Sequence, residues 1–67
     1  MAKVSSLILS DIVKDDTKIN ISVQRLHGEF PLVVGKRWYE DSILEWSDAD
    51  IYALDYDGIN NELTILV

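Results

Sequence analysis

The stretch that most constrains the fold is residues 49–67. It alternates through Ile51-Tyr52-Ala53-Leu54-Asp55-Tyr56, turns at Asp57-Gly58-Ile59-Asn60 and returns through Glu62-Leu63-Thr64-Ile65-Leu66-Val67. Apolar residues at period two mark a half-buried strand, so the segment is expected to be a β-hairpin. Tyr52, Leu54 and Tyr56 share one face; Leu63, Ile65 and Val67 share one face of the returning strand. A two-residue turn at Asp57-Gly58 has the stronger local signal, because glycine tolerates positive φ, but it sets Leu54 opposite Asn61. A four-residue loop from Asp57 to Asn60 sets Leu54 opposite Leu63 and Tyr52 opposite Ile65. It is preferred because a one-sided core fixes register. No polar tail follows Val67, so the returning strand is expected to stay in the sheet.

The remaining chain should cover one face of that hairpin. Ser5 or Ser6 can cap a short helix carrying Ile8, Leu9, Ile12 and Val13 at helical spacing and ending at Asp15-Asp16, although a strand through 4–9 is the alternative. From Thr17 to Val23 the alternation places Ile19, Ile21 and Val23 inward and Lys18, Asn20 and Ser22 outward. His27-Gly28-Glu29 reads as a turn, after which Phe30, Leu32 and Val34 recur with period two. Pro31 cannot donate to a ladder and belongs at an edge, a strand start or a bulge. Between Lys36 and Trp46 the period changes: Tyr39, Ile43 and Trp46 form one helical stripe, and Glu40 and Asp41 suit the positive end of a helix dipole. The expected fold is α+β, a single domain over residues 1–67. It has about four antiparallel strands with one or two short helices on one face, the simplest two-layer solution.

With 67 residues the chain buries only about 60% of its unfolded surface, so stability is marginal. There is no cysteine and one histidine, which excludes a disulfide staple and leaves no structural zinc site. Yet 48% of the residues are hydrophobic, and part of that apolar surface is expected to lie in an interface. The N-terminus lacks the features of a signal peptide and no run is long enough to span a bilayer. The expectation is a cytoplasmic protein, in the host cytoplasm if viral.

Charge is divided along the chain. All six basic residues (Lys3, Lys14, Lys18, Arg25, Lys36, Arg37) lie at or before position 37, where four acids leave a net charge of +2. From Trp38 onward there are eight acids and no base, a net charge of −8. Acids of one sign solubilise a small domain. They also repel one another within a Debye length of about 8 Å, and the field they set up attracts a basic partner. The same sign argues against direct binding to nucleic acid. The residues assigned to a partner-binding surface are Glu40, Asp41, Glu45, Asp48, Asp50, Asp55 and Asp57 as the charge pattern, with Trp38 and Tyr56 as apolar anchors. Trp46, Tyr39 and Tyr52 are assigned to the core.

No catalytic or metal signature stands out. His27 lies in an expected turn and reads as a solvated loop residue. There is no G-x-S-x-G elbow, and Gly28, Gly35 and Gly58 are too scattered to cradle a phosphate. The run from Asp55 to Glu62 has its glycine fourth and its glutamate eighth, unlike a calcium-binding EF-hand loop, and turn chemistry accounts for it. The protein is expected to be neither an enzyme nor a cofactor carrier.

The opening Leu9-Ser10-Asp11-Ile12-Val13 is similar to that of a viral uracil-DNA glycosylase inhibitor family, whose members mimic DNA. The β-β-α-β order expected from Thr17 to Tyr56 resembles a second, smaller viral inhibitor of the same enzyme. Anti-CRISPR and other anti-defence proteins share this size and charge profile. The resemblance implies a class, a small bacteriophage-encoded inhibitor acting on a host nucleic-acid or defence enzyme with a basic surface. It assigns no residue roles. A non-catalytic assembly protein, forming a homodimer or larger oligomer through strands such as Leu63 to Val67, is the alternative.

Overall fold

The computed structural model describes residues 2–25 and 28–67. Its elements are α1 (Val4–Ile8), β1 (Lys18–Arg25), β2 (Gly28–Lys36), α2 (Asp41–Leu44), β3 (Ala53–Asp57) and β4 (Glu62–Leu66). The architecture is α+β, with the element order and the two hairpins expected from the alternation. The strands lie in the order β2-β1-β4-β3. Both hairpins are antiparallel, but their inner strands, β1 and β4, pair in parallel. The sheet is therefore mixed, which corrects the expectation of antiparallel strands throughout. A parallel pair needs a crossover, and here the crossover is the chain from β2 through α2 to β3.

The core sits on one face of the central pair. Ile19 and Ile21 of β1 and Leu63 and Ile65 of β4 pack against Val4, Leu7 and Ile8 of α1, Ile43 of α2, and Val13 and Val33. Register neighbours are Ile19 with Leu63 and Ile21 with Ile65, so the odd positions of both central strands form one apolar floor. Trp38, Trp46, Ala49, Ile51 and Val67 pack around it, partly buried. The even positions Asn20 and Thr64 lie side by side on the other face, where the Asn20 amide donates to the Thr64 hydroxyl at 3.4 Å.

The outer strands are far less covered. In β2 the buried residue is Val33, while Phe30, Leu32 and Val34 are exposed. Two register shifts, between Ile19 and Ile21 and between Ile21 and Ser22, give β2 extra residues against β1. Such bulges re-aim side chains and upset a simple period-two assignment. Gly35 supports one irregularity with φ +68° and donates its N–H to Asn20 Oδ1 at 2.8 Å. Pro31 lies in this edge strand, where the absence of an N–H is tolerated. The turn expected at His27-Gly28-Glu29 lies partly outside the described residues, as does His27 itself; Gly28 and Glu29 belong to β2.

The β3–β4 loop has four residues as expected, but it is Gly58 to Asn61, one position later. Tyr56 therefore pairs with Leu63 and Leu54 with Ile65. The cause is local. Asp57 Oδ1 accepts the N–H groups of Ile59 and Asn60 at 3.0 and 3.3 Å, and its Oδ2 accepts the Asn60 amide at 2.7 Å. The left-handed residue is Asn61, with φ 52°, a conformation asparagine tolerates, and not Gly58. The shift of two residues keeps the same side chains on the same faces.

Both helices are shorter than their sequence patterns. The N-cap of α1 is Lys3, with no side-chain cap, so Ser5 and Ser6 lie inside the helix and do not cap it. The first-turn N–H groups of Val4 and Ser5 instead donate to the carbonyls of Ala49 and Ser47, each at 3.0 Å, which satisfies the orphan donors of a helix start. Leu9 and Ile12 are exposed and Val13 is buried. In the second helix the apolar stripe starts at Ile43. Tyr39 precedes the N-cap Glu40 and is exposed, not buried.

Candidate protein-binding surface

Five of the assigned acids belong to α2 and its flanks. Glu40 is the N-cap residue of α2; its Oε2 accepts the Arg37 N–H at 2.6 Å, so it closes the turn between β2 and α2 and is half-buried. Asp41, Glu45 and Asp48 are exposed. Asp50 is exposed as well and pairs with Lys3, Nζ to Oδ1 at 2.8 Å, the one ion pair among the described residues. The Lys3 hydrogen bond and charge hold the Asp50 carboxyl below its ordinary value, and Asp50 raises the Lys3 amine in turn.

The other two assigned acids lie elsewhere. Asp55 pairs with Thr64 and Asp57 with Glu62, so alternation places both on the sheet face away from the helices. Asp57 is held in the loop by the bonds to Asn60 and Ile59 described above, and these keep its carboxyl below the ordinary value, the Asn60 amide foremost. The acids therefore do not form one patch. They divide into a helix-side group, from Glu40 to Asp50, and an outer-face pair on β3.

The aromatic assignments are partly reversed. Trp38 is half-buried against the core; its Nε1 donates to Asp15 at 3.0 Å, and its ring meets Tyr39 edge-on at 5.7 Å. It is a packing residue more than an exposed anchor. Tyr56 is exposed, as expected, at 52%. Tyr52, assigned to the core, is 73% exposed. It lies just before β3 at the sheet edge, and the helices cover only the central strands. Trp46 packs beside the core as expected, though only partly buried.

Apolar surface does remain outside the core, as the hydrophobic fraction led one to expect, but, Tyr56 apart, the residues that carry it were not identified from the sequence. Leu44 of α2, next to Glu45, and Leu54 of β3, on the sheet face opposite Asp55 and Asp57, are exposed. Val23, Leu32, Trp46, Ala49, Asp50 and Val67 line an open, mostly apolar depression of about 480 Å³. The available signal was the hydrophobic fraction itself, more than a core under two short helices can hide. Among the described residues no cluster of His, Cys, Asp and Glu is arranged to hold a metal ion, and no helix is long and apolar enough to cross a membrane. Compared with protein-family models, curated proteins and solved structures, the chain matches none.

Proposed function

We propose that the protein is a non-catalytic binding module of the small-inhibitor kind, which occupies a basic surface on a partner protein such as a nucleic-acid-acting or defence enzyme. The observation that carries this is the α2 segment. Asp41, Glu45 and Asp48 stand exposed on it together with Tyr39 and Leu44, and among the described residues Lys3 is the one cation paired to that acidic run. Carboxylates around apolar side chains match the composition of a steered, partly desolvated interface. The depression beside Trp46 and Asp50 can take an apolar side chain of the partner. In this reading residues 40–50 make the main electrostatic contact, and Asp55 and Asp57 on the outer sheet face are separate from it. The test is binding of the purified partner to wild type and to a variant reversing Asp41, Glu45 and Asp48 to Lys, at low and high salt. Loss with either change supports the proposal; salt-insensitive binding that survives the reversal defeats it.

Self-assembly through the strands is a second reading, favoured by the exposed apolar residues Phe30, Leu32 and Val34 on one sheet edge and Leu54 and Tyr56 on the other. Sedimentation over a range of concentrations separates it from the first. An obligate oligomer supports it, and a monomer at every concentration removes it.

A further inference from the structure

We infer that the open edge of β3 is a docking strand for an extended, basic segment of the partner, which adds to the sheet as a further strand. The inference rests on the protein-binding proposal above and names the chemistry of the partner segment. An edge strand presents alternate unpaired N–H and C=O groups, and proteins blunt such edges with proline, bulges or charged side chains, lysine above all. The two edges of this sheet differ in that respect. The β2 edge carries Pro31 and two register shifts. The β3 edge has neither: Ala53 to Asp57 pair with β4 in unbroken register, and no Pro or Lys occurs among them.

What β3 does carry are Asp55 and Asp57, and they select the occupant. Directly opposed residues of an antiparallel pair share a face, and like charges there are destabilising. A second copy pairing about Asp55 sets that residue against itself. Pairing about Tyr56 sets Asp55 against Asp57. A strand with Lys or Arg at those positions meets opposite charges instead. On the other face Tyr52, Leu54 and Tyr56 are exposed and offer contacts to the alternate apolar residues of such a strand.

The chain already makes one pairing of this kind immediately before β3. Lys3 and Asp50 form an antiparallel β-bridge topped by their ion pair. Ile51 donates its N–H to Ala2 at 2.9 Å while Tyr52 donates to Leu66 at 2.7 Å. The N-terminal segment thus flanks Ile51 on the side away from β4, with a cation set opposite an acid. The partner segment continues that line past Tyr52. Its chemistry follows: five or six extended residues alternating apolar with Lys or Arg, held by backbone hydrogen bonds as in other strand additions.

The probe is a blocked six-residue peptide alternating Val and Lys, added to the isotope-labelled full chain and followed by amide shifts and hydrogen exchange. The expected result is shifted, slowed amides at Ala53–Asp57. The effect is lost when one set of alternate peptide amides is N-methylated and when Glu replaces Lys. Asp55→Asn weakens binding by up to about fivefold, the size of one cross-strand charge pair. If the N-methylated peptides bind as well as the parent, backbone pairing is not the mode and the inference falls. Shifts confined to residues 41–50 overturn it while leaving the acidic-surface proposal standing. The absence of any shift also overturns it, and the salt-dependent binding test above judges the broader proposal separately.

Discussion

The Thr17 hydroxyl donates to Asn61 Oδ1 at 3.2 Å, joining the start of β1 to the β3–β4 loop across 44 residues. The same hydroxyl accepts the Lys14 N–H at 3.0 Å, and the Lys18 N–H donates to the Asn61 carbonyl at 3.0 Å. Thr17 has no exposed surface. These bonds help fix the parallel register of β1 on β4, the pairing that joins the two hairpins.

Thr17→Val is therefore expected to cost about 1–2 kcal/mol, because it leaves the part-buried Lys14 N–H without its acceptor and removes a partner from Asn61. Thr17→Ser should recover most of the loss. Urea unfolding checks this through a lowered midpoint at constant slope. A midpoint unchanged by Val would show that the hydroxyl contributes nothing.

Ile43 is fully buried between α2 and the sheet. Ile43→Ala is expected to cost about 2–5 kcal/mol, against a total of about 3–10 kcal/mol for a domain of this size. The variant should be largely unfolded at 37 °C, read as loss of dispersed amide resonances, whereas Ile59→Ala in the exposed loop should leave stability within about 0.5 kcal/mol.

The ion pair between Lys3 and Asp50 has a definite pH signature. The Asp50 carboxyl is depressed by Lys3, so its contribution is present above the ordinary carboxylate value and is lost as pH falls through the depressed one. The Lys3 amine is raised, so its contribution is present below the ordinary amine value and is lost as pH rises through the raised one. Both side chains are about half exposed, and the effect on stability is small. The sharper readout is carboxyl titration by NMR. Lys3→Met should move the Asp50 midpoint up towards the ordinary value and leave Asp57, held by Asn60, where it was.

The β3 docking inference gives Asp55 a second role, keeping the β3 edge from pairing with itself. Asp55→Val removes the like-charge opposition and extends the apolar strand, so sedimentation should show concentration-dependent dimers that the wild type lacks at the same concentration. Equal association of both proteins would contradict that role for the residue.

Much of this fold was legible because its signals are local. The alternation at Ile19, Ile21, Leu63 and Ile65 names the buried floor, and Ile43 marks the helix that covers it. What escaped depended on neighbours in space. The capping of α1 by the Ser47 and Ala49 carbonyls leaves no trace in Ser5 or Ser6. The parallel union of β1 and β4 cannot be read from either hairpin, and the bulges of β2 reverse a period-two reading of Phe30, Leu32 and Val34. The acids were easy to count, but their division depends on which strand each one sits in. Tyr52 looked like core because alternation gives a side chain its face and not its cover.

On the proposed function, the acids of the α2 segment engage a basic partner. The most direct measurement captures partners from bacterial lysate on wild-type protein and on the variant with Asp41, Glu45 and Asp48 reversed to Lys, each at low and high salt, and identifies what is retained. A basic nucleic-acid or defence enzyme is expected to be held by wild type at low salt and lost both at high salt and with the variant. A partner held equally in all four conditions, or nothing retained but the protein itself, would contradict the proposed function.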